Sequence, residues 1–318
     1  MRTGLAVSAA ALGVAVVAAT STGAAGSPGA QASACKVKSN IEAMLDDSGS
    51  MAATDPNRLR VQGINLLMNT PGNEGKTLGA IAFGSVASPL FGPGKIGTNR
   101  NAFSAAMDQQ IQADDGTTNY NDAFRLAGTH NPNADARIFL TDGDPTEAYN
   151  NGHRGGPPTY VIGFGGVTND ALLKGIASDT GGTYRKANDA GELQAAINVI
   201  DTRVNCRSAP RQYTDTFTRK GSKKHKLTIT SRTRSVFFAL SWASSTDKFT
   251  IGSFRLTRKG KRVHRKLKVK TRRGATFVSV KLSRLRRGKL SFKVKAKHLT
   301  STFGGVKLIT QASRSRRH

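Results

Sequence analysis

The rhythm of apolar and polar positions changes once along the chain. Up to about residue 204, short apolar runs alternate with amphipathic stretches, a pattern that predicts a mostly parallel, doubly wound sheet covered by helices. Residues 41–45, 77–83, 137–140, 160–164 and 183–186 read as strands, and 86–91 as an edge or hairpin partner. Apolar residues at helical spacing (Leu59, Val61, Ile64, Leu67, Met68) mark a helix over 59–68. Further helices are expected over 103–111, 120–127, 170–177 and 192–204, the last capped by Asp189. From Arg211 the segments become short, alternating and β-rich: 226–230, 236–242, 249–256, 265–270, 276–282 and 290–297. That spacing predicts a smaller all-β antiparallel sandwich or jelly roll, with 314–318 as a frayed tail. In 266–270 and 293–297 the period of two sends lysines to one face and apolar groups to the other.

Charge follows the same division. The 318 residues carry a net charge of +28, yet residues 1–206 hold a small acidic excess. Residues 207–318 hold 33 Lys plus Arg against two acids, Asp215 and Asp247. Such a block predicts contact with an anionic polymer (teichoic acid, acidic glycan or DNA), because a polyanion relieves self-repulsion and releases counterions. Its aromatics, Phe237, Phe238, Trp242, Phe249, Phe254, Phe277 and Phe292, sit in apolar alternation and read as core rather than as base-stacking platforms.

The first residues set the compartment. Arg2 precedes an Ala-rich apolar run over 5–19 and a small-residue stretch ending Ala32-Ser33-Ala34, the pattern of a signal peptide over 1–34. The run is shorter than the roughly 20 residues of a membrane span, and no second one follows, so a secreted or surface-associated chain without a transmembrane segment is expected. The only cysteines, Cys35 and Cys206, bracket the α/β segment and set expected domains of 35–206 and 207–318. An exported chain permits a disulfide between them. The alternative is Cys35 as a lipidated first residue, although Ala32 stands where bacterial lipoproteins usually carry Leu.

Three strings carry the chemistry. Asp46-Asp47-Ser48-Gly49-Ser50 lies where a buried strand runs into a loop, Gly116-Thr117-Thr118-Asn119 opens a helix, and Thr141-Asp142-Gly143 ends the strand over 137–140. In an open α/β sheet, ligands bind beyond the carboxyl ends of the strands, so all three strings are expected on one rim. Carboxylates and hydroxyls without His or Cys suit a hard cation such as Mg²⁺, with Mn²⁺ or Ca²⁺ as alternatives.

On these strings, residues 35–206 resemble a von Willebrand factor type A (VWA) domain, similar to integrin I domains, and its metal-ion-dependent adhesion site (MIDAS). The resemblance implies a Rossmann-like fold. It also implies a metal site in which Asp46, Ser48 and Ser50 form the first loop, Thr118 the second and Asp142 the third. An acidic residue of a protein partner would complete the coordination. Asp47, Thr117 and Asp144 depart from the usual pattern, and both extra carboxylates are expected to face water. The loop over 146–159 is a candidate for shaping partner choice.

Catalysis is not expected. The chain has no HExxH or GxSxG string, and its histidines (130, 153, 225, 264, 298, 318) read as scattered surface residues. The run over 161–166, VIGFGG, lacks the Lys-Ser/Thr ending of a phosphate loop. The leading expectation is a secreted, metal-dependent adhesion or protein-binding chain. A wall or matrix polyanion binder with the first domain as scaffold, and an accessory subunit of a secreted enzyme, are the alternatives.

Overall fold

The computed structural model describes residues 35–56, 58–165, 169–187, 190–208, 210–242, 244–263, 266–300 and 306–316. The expected leader over 1–34, the Asp189 cap, Gly166, His264 and His318 lie outside them. Strands β1 (Asn40–Asp46), β2 (Thr77–Phe83), β3 (Ala87–Lys95), β4 (Ala136–Thr141), β5 (Thr159–Phe164) and β6 (Thr183–Ala187) form one sheet in the order β3-β2-β1-β4-β5-β6. Every pairing is parallel except β2 with β3, which makes β3 the antiparallel edge. Helices α1 (Met51–Thr54), α2 (Leu59–Asn69), α3 (Ile96–Gln110), α4 (Tyr120–His130), α5 (Asp170–Asp179) and α6 (Ala190–Val204) connect them.

β4 and β5 are buried at every position. A sheet covered on both faces requires this, and it explains why these strands read as near-continuous apolar runs. The alternation of β1 divides its side chains between two cores. Ile41, Ala43 and Leu45 join Ile64, Leu67 and Ile197 of α2 and α6. Met44 joins Phe83, Phe139, Phe124 and Ile176 on the α4 and α5 side.

The remaining strands are β7 (Arg211–Phe217), β8 (Gly221–Ile229), β9 (Thr233–Ser241), β10 (Lys248–Arg258), β11 (Lys261–Arg262), β12 (Lys268–Arg273), β13 (Phe277–Ser283), β14 (Gly288–His298) and β15 (Val306–Arg316). They form two antiparallel sheets, β11-β10-β14-β8 and β12-β13-β9-β15-β7. Their facing sides enclose Leu227, Phe238, Leu240, Phe249, Phe292 and Val294. Two expectations fail here. Residues 314–316 are not frayed but complete β15, with the Arg314 N–H donating to Ser208 Oγ at 3.0 Å. The alternation over 266–270 buries little: β12 is an edge strand, Val269 is 48% exposed and Leu267 is only partly buried against the sandwich core. An alternating strand gains a dry face only where a second layer covers it, as for Leu290, Phe292, Val294 and Ala296 of β14.

The five-stranded sheet is covered on its other face by the helices of the first half. Gln311 Nε2 donates to the Ala195 carbonyl of α6 (3.2 Å) and Ser279 Oγ to the Asn69 carbonyl of α2 (3.0 Å). Arg207, paired with Asp201, lies 3.5 Å above the ring of Phe237, and Glu74 binds Lys270 and Arg272. Phe277 belongs to the core of the first half. Phe237 and Phe277, expected in the sandwich core, thus serve the junction instead. Lys36–His318 is accordingly one compact unit. Cys35 and Cys206 are both disulfide-bonded, so neither is a free thiol and Cys35 has no sulfur valence left for a lipid thioether.

Candidate functional site

From β1 the chain turns to β2 on one side, and β4 later arrives on the other, so the sheet changes winding direction between β1 and β4. A crevice opens at such a switch point beyond the carboxyl ends of the strands. Asp46 ends β1 and is fully buried, and Asp142 follows β4 at 2% exposure. Asp46 Oδ1 accepts the Ser48 N–H (2.9 Å) and the Ser48 hydroxyl (2.6 Å), while its Oδ2 accepts Thr141 Oγ1 (2.5 Å). Ser48 Oγ and Ser50 Oγ are 3.2 Å apart, and Ser50 Oγ donates to Asp142 Oδ1 at 2.8 Å. Thr54, not singled out from sequence, donates to the other Asp142 oxygen. A Cβ on Gly143 would lie 3.7 Å from Thr118 Oγ1 and 3.9 Å from Ser50 Oγ, so hydroxyls of the first two loops border the third. All five sequence-predicted oxygen donors therefore gather on one rim.

Backbone bonds stitch the loops together. Gly49 N–H donates to the Gly116 carbonyl (3.0 Å) and Asp115 N–H to the Asp47 carbonyl (3.1 Å). Gly84 permits this approach, since a Cβ there would fall 2.0 Å from the Asp115 carbonyl oxygen. The second and third loops are joined by Thr118 N–H to Thr146 Oγ1 (2.8 Å) and Thr146 N–H to the Thr118 carbonyl (2.9 Å). Tyr120 OH closes the set on the Gly143 carbonyl (2.6 Å). A site held this way is ordered before any ligand arrives.

Asp47 corrects an expectation. It is 3% exposed rather than solvated, and accepts N–H bonds from Gln112 (3.2 Å) and Ala113 (2.7 Å). Its charge is met by Arg60 of α2, fully buried at 2.9 Å, which also reaches Asp55 at 3.0 Å. Asp55 in turn accepts the Leu59 and Arg60 N–H groups that open α2 (2.6 and 3.0 Å). The sequence offers no periodic cue for this Asp47–Arg60–Asp55 chain, since Arg60 falls between the apolar positions that mark α2. Asp144 is exposed as expected and accepts the Asn169 N–H at 2.7 Å.

Three of the histidines are corrected as well, while His298 is exposed as expected. His130 binds the fully buried Glu42 (2.8 Å), His153 is 1% exposed between Tyr149 and Asp179, and His225 binds Asp215 (2.8 Å). They are structural partners of acids rather than scattered surface groups. Burial of Glu42, only partly offset by His130, pushes its carboxyl up to about 7.

Chemically the rim is two carboxylates and three hydroxyls. Burial pushes the Asp46 carboxyl up to about 6 against the hydrogen bonds from Ser48 and Thr141, with the Asp142 charge adding to the rise. A carboxylate whose ionised form costs free energy in this way is one that a nearby cation would stabilise. Among the described residues no group of three or more His, Cys, Asp or Glu side chains gathers, so a cation here would rest partly on hydroxyls. That donor set fits a hard divalent ion.

No curated protein matches the chain. Among solved structures, a von Willebrand factor type A protein from Catenulispora acidiphila is similar at 13% identity, with 88% of this chain and 63% of that one covered and a TM-score of 0.47. Proximal thread matrix protein 1 from the mussel byssus, with a zinc-occupied MIDAS motif, is similar at 17% identity, with 58% and 50% covered and a TM-score of 0.44. The chain thus spans between half and two thirds of the length of each. The family model of the von Willebrand factor type A domain matches residues 40–199, which contain the whole rim. This is a family that often mediates metal-dependent protein binding, and by that match over half its length the chain belongs to the von Willebrand factor type A domain family.

Proposed function

We propose that this chain binds a protein partner through a divalent cation held by Asp46, Ser48, Ser50, Thr118 and Asp142, and that it acts outside the cell as an adhesion or recognition protein rather than as an enzyme. The observation that carries the reading is the Ser50 hydroxyl, which touches Ser48 on one side and Asp142 on the other and so links donors from loops 92 residues apart. Ser48, Ser50 and Thr118 would contribute neutral oxygens, and Asp46 and Asp142 the charge. A cation bound there offers a Lewis-acidic position to an acidic side chain of the partner. Asp47, Arg60 and Thr54 hold the loops and touch no partner. The signal-peptide pattern, the oxidised cysteines and the absence, among the described residues, of a helix long and apolar enough to cross a membrane support an extracellular setting. Mg²⁺ is the ion we assign. Titration calorimetry with Mg²⁺ and Mn²⁺ tests the site: Asp142→Ala and Ser48→Ala should abolish cation uptake while leaving the unfolding transition in place, and unchanged affinity in both variants would refute it.

A second contact, with an anionic polymer, is favoured by a different observation. Both acids of residues 207–318 are consumed inside the fold. Asp215, 6% exposed, binds His225, and Asp247, 2% exposed, accepts the Thr300 N–H and hydroxyl at 2.8 and 2.9 Å. The two domains expected from sequence, 35–206 and 207–318, would then divide the labour between partner and polymer.

A further inference from the structure

The four-stranded sheet turns one face to the sandwich core and the other to solvent. Register places the outward side chains in rows across β10, β14 and β8: Gly252, Lys293 and Lys224 in one, Thr250, Lys295 and Ser222 in the next, Arg255, Ser291 and Lys226 in a third. Lys289 extends the line along β14. Lys293 of β14 stands directly opposite Lys224 of the edge strand β8. Like charges in that position destabilise a sheet, and the three strands contain no acid that could neutralise them. Among the described residues, the ion pairs of the second half, Arg207–Asp201, His225–Asp215, Lys270–Glu74 and Arg272–Glu74, involve none of these six cations. A fold that keeps such repulsion on a regular face, while its sparse acids are buried, is arranged for an anion supplied from outside.

We propose that this face holds a flexible linear polyanion whose charges are phosphates and which carries no bases, lying along β14. The inference rests on the polymer reading above and deepens it by naming the face and the chemistry. Three features select the class. Lysine supplies five of the six cations (Lys224, Lys226, Lys289, Lys293, Lys295, with Arg255), and an ammonium is a point charge suited to phosphate, whereas planar carboxylates favour the guanidinium fork. None of the outward positions in these rows is aromatic, so the face offers no stacking platform for bases. The cations repeat at about 6.8 Å along a strand and about 4.8 Å across strands. A flexible chain can settle its charges over that grid, while duplex DNA, stiff over about 150 base pairs, meets a flat face along a single line.

The test uses the full chain with its disulfide intact. Fluorescence anisotropy would follow binding to long-chain inorganic polyphosphate, single-stranded DNA, duplex DNA and heparin between 50 and 200 mM salt. With about six contacts and a slope near −0.7 per contact, log K against log salt should fall with a slope of about −4 for polyphosphate. The triple variant Lys224→Ser, Lys293→Ser, Lys295→Ser should lower that slope by about 2 and weaken binding at least about tenfold at 50 mM salt. A control of equal charge loss on the other sheet and its turn, Arg232→Ser, Lys268→Ser, Arg273→Ser, should leave the slope as in the parent. Removing opposed charges should not lower the melting temperature of the first variant; if it does, the single variant Lys293→Ser carries the test, with an expected slope change of about 0.7. Absence of salt-dependent binding to every probe would overturn the polymer reading itself. Equal losses in both triple variants would overturn the face, and tighter binding to either DNA or to heparin than to polyphosphate would overturn the class.

Discussion

Replacing Arg60 by methionine should be the most damaging single change outside the rim itself. The guanidinium is fully buried and is the cation facing two carboxylates, Asp47 and Asp55, that are 3% and 1% exposed. Methionine keeps much of the length and packing, so the loss isolates the charge. Breaking a buried pair by removing one partner costs about 3–5 kcal/mol, because the remaining charge is left without compensation. Here two such charges remain, and Asp47 also carries the N–H groups of Gln112 and Ala113 that hold the second loop. For a fold of this size about 4 kcal/mol corresponds to a fall in melting temperature of roughly 10 °C, a large share of a typical total of about 5–15 kcal/mol. Urea denaturation followed by circular dichroism measures the loss as a shift of midpoint at constant slope. Asp47→Asn in the Arg60→Met background should recover more than about 1 kcal/mol, as coupled neighbours do. A single-variant loss below about 1 kcal/mol with an unchanged slope would show that Arg60 does not hold the first loop.

Two further outcomes are expected. Burial alone would raise the Glu74 carboxyl, but bonds from Lys270, the Gly72 N–H and Arg272 outweigh it and hold it at about 2, below its ordinary 4.5. A depressed carboxyl contributes stability that is present above pH 4.5 and lost as pH falls through about 2; since the group is partly solvated we expect about 1 kcal/mol, and Glu74→Gln should flatten that part of the acid limb, whereas an acid limb identical to the parent's would refute the assignment. Reduction should release two thiols and lower stability by about 5 kcal/mol on chain-entropy grounds for so long a loop, and an unchanged thermal transition after verified reduction would contradict this.

The sheet, helices α2 to α6 and the five rim oxygens were legible because each rests on a local signal: apolar runs for β4 and β5, helical spacing for α2, and polar strings at strand ends, whereas the four-residue α1 was not. The edge strand β3 was legible in kind, though it reaches Lys95 through a stretch with two prolines, Pro89 and Pro93, that masks its pattern. What escaped was decided by contact between distant segments. Asp47 looks like an exposed loop acid until Arg60 is brought beneath it, and Phe237 looks like sandwich core until Arg207 is laid over its ring. Lys266 to Lys270 alternates as regularly as Lys293 to Lys297, but the first run only partly buries Leu267 and leaves Val269 exposed, whereas the second buries Val294 and Ala296. Periodicity reports which face a strand prefers to bury, not whether anything is there to bury it.

The place of β15 in its sheet bears on how the second half is made. Among the described strands this one comes last in sequence, yet it lies between β9 and β7, pairing Ala312 with Phe238 on one side and with Arg211 on the other. During synthesis β9 therefore emerges with one edge open, and β7 finds no permanent neighbour in its own sheet until the last strand is delivered. The surface that receives α6, including Gln311, is likewise incomplete until then. The five-stranded sheet, and with it the junction to the first half, has to wait until Val306–Arg316 has left the ribosome. In the extracellular setting proposed above, that delay would keep the second half threadable during translocation and let it close only on the far side.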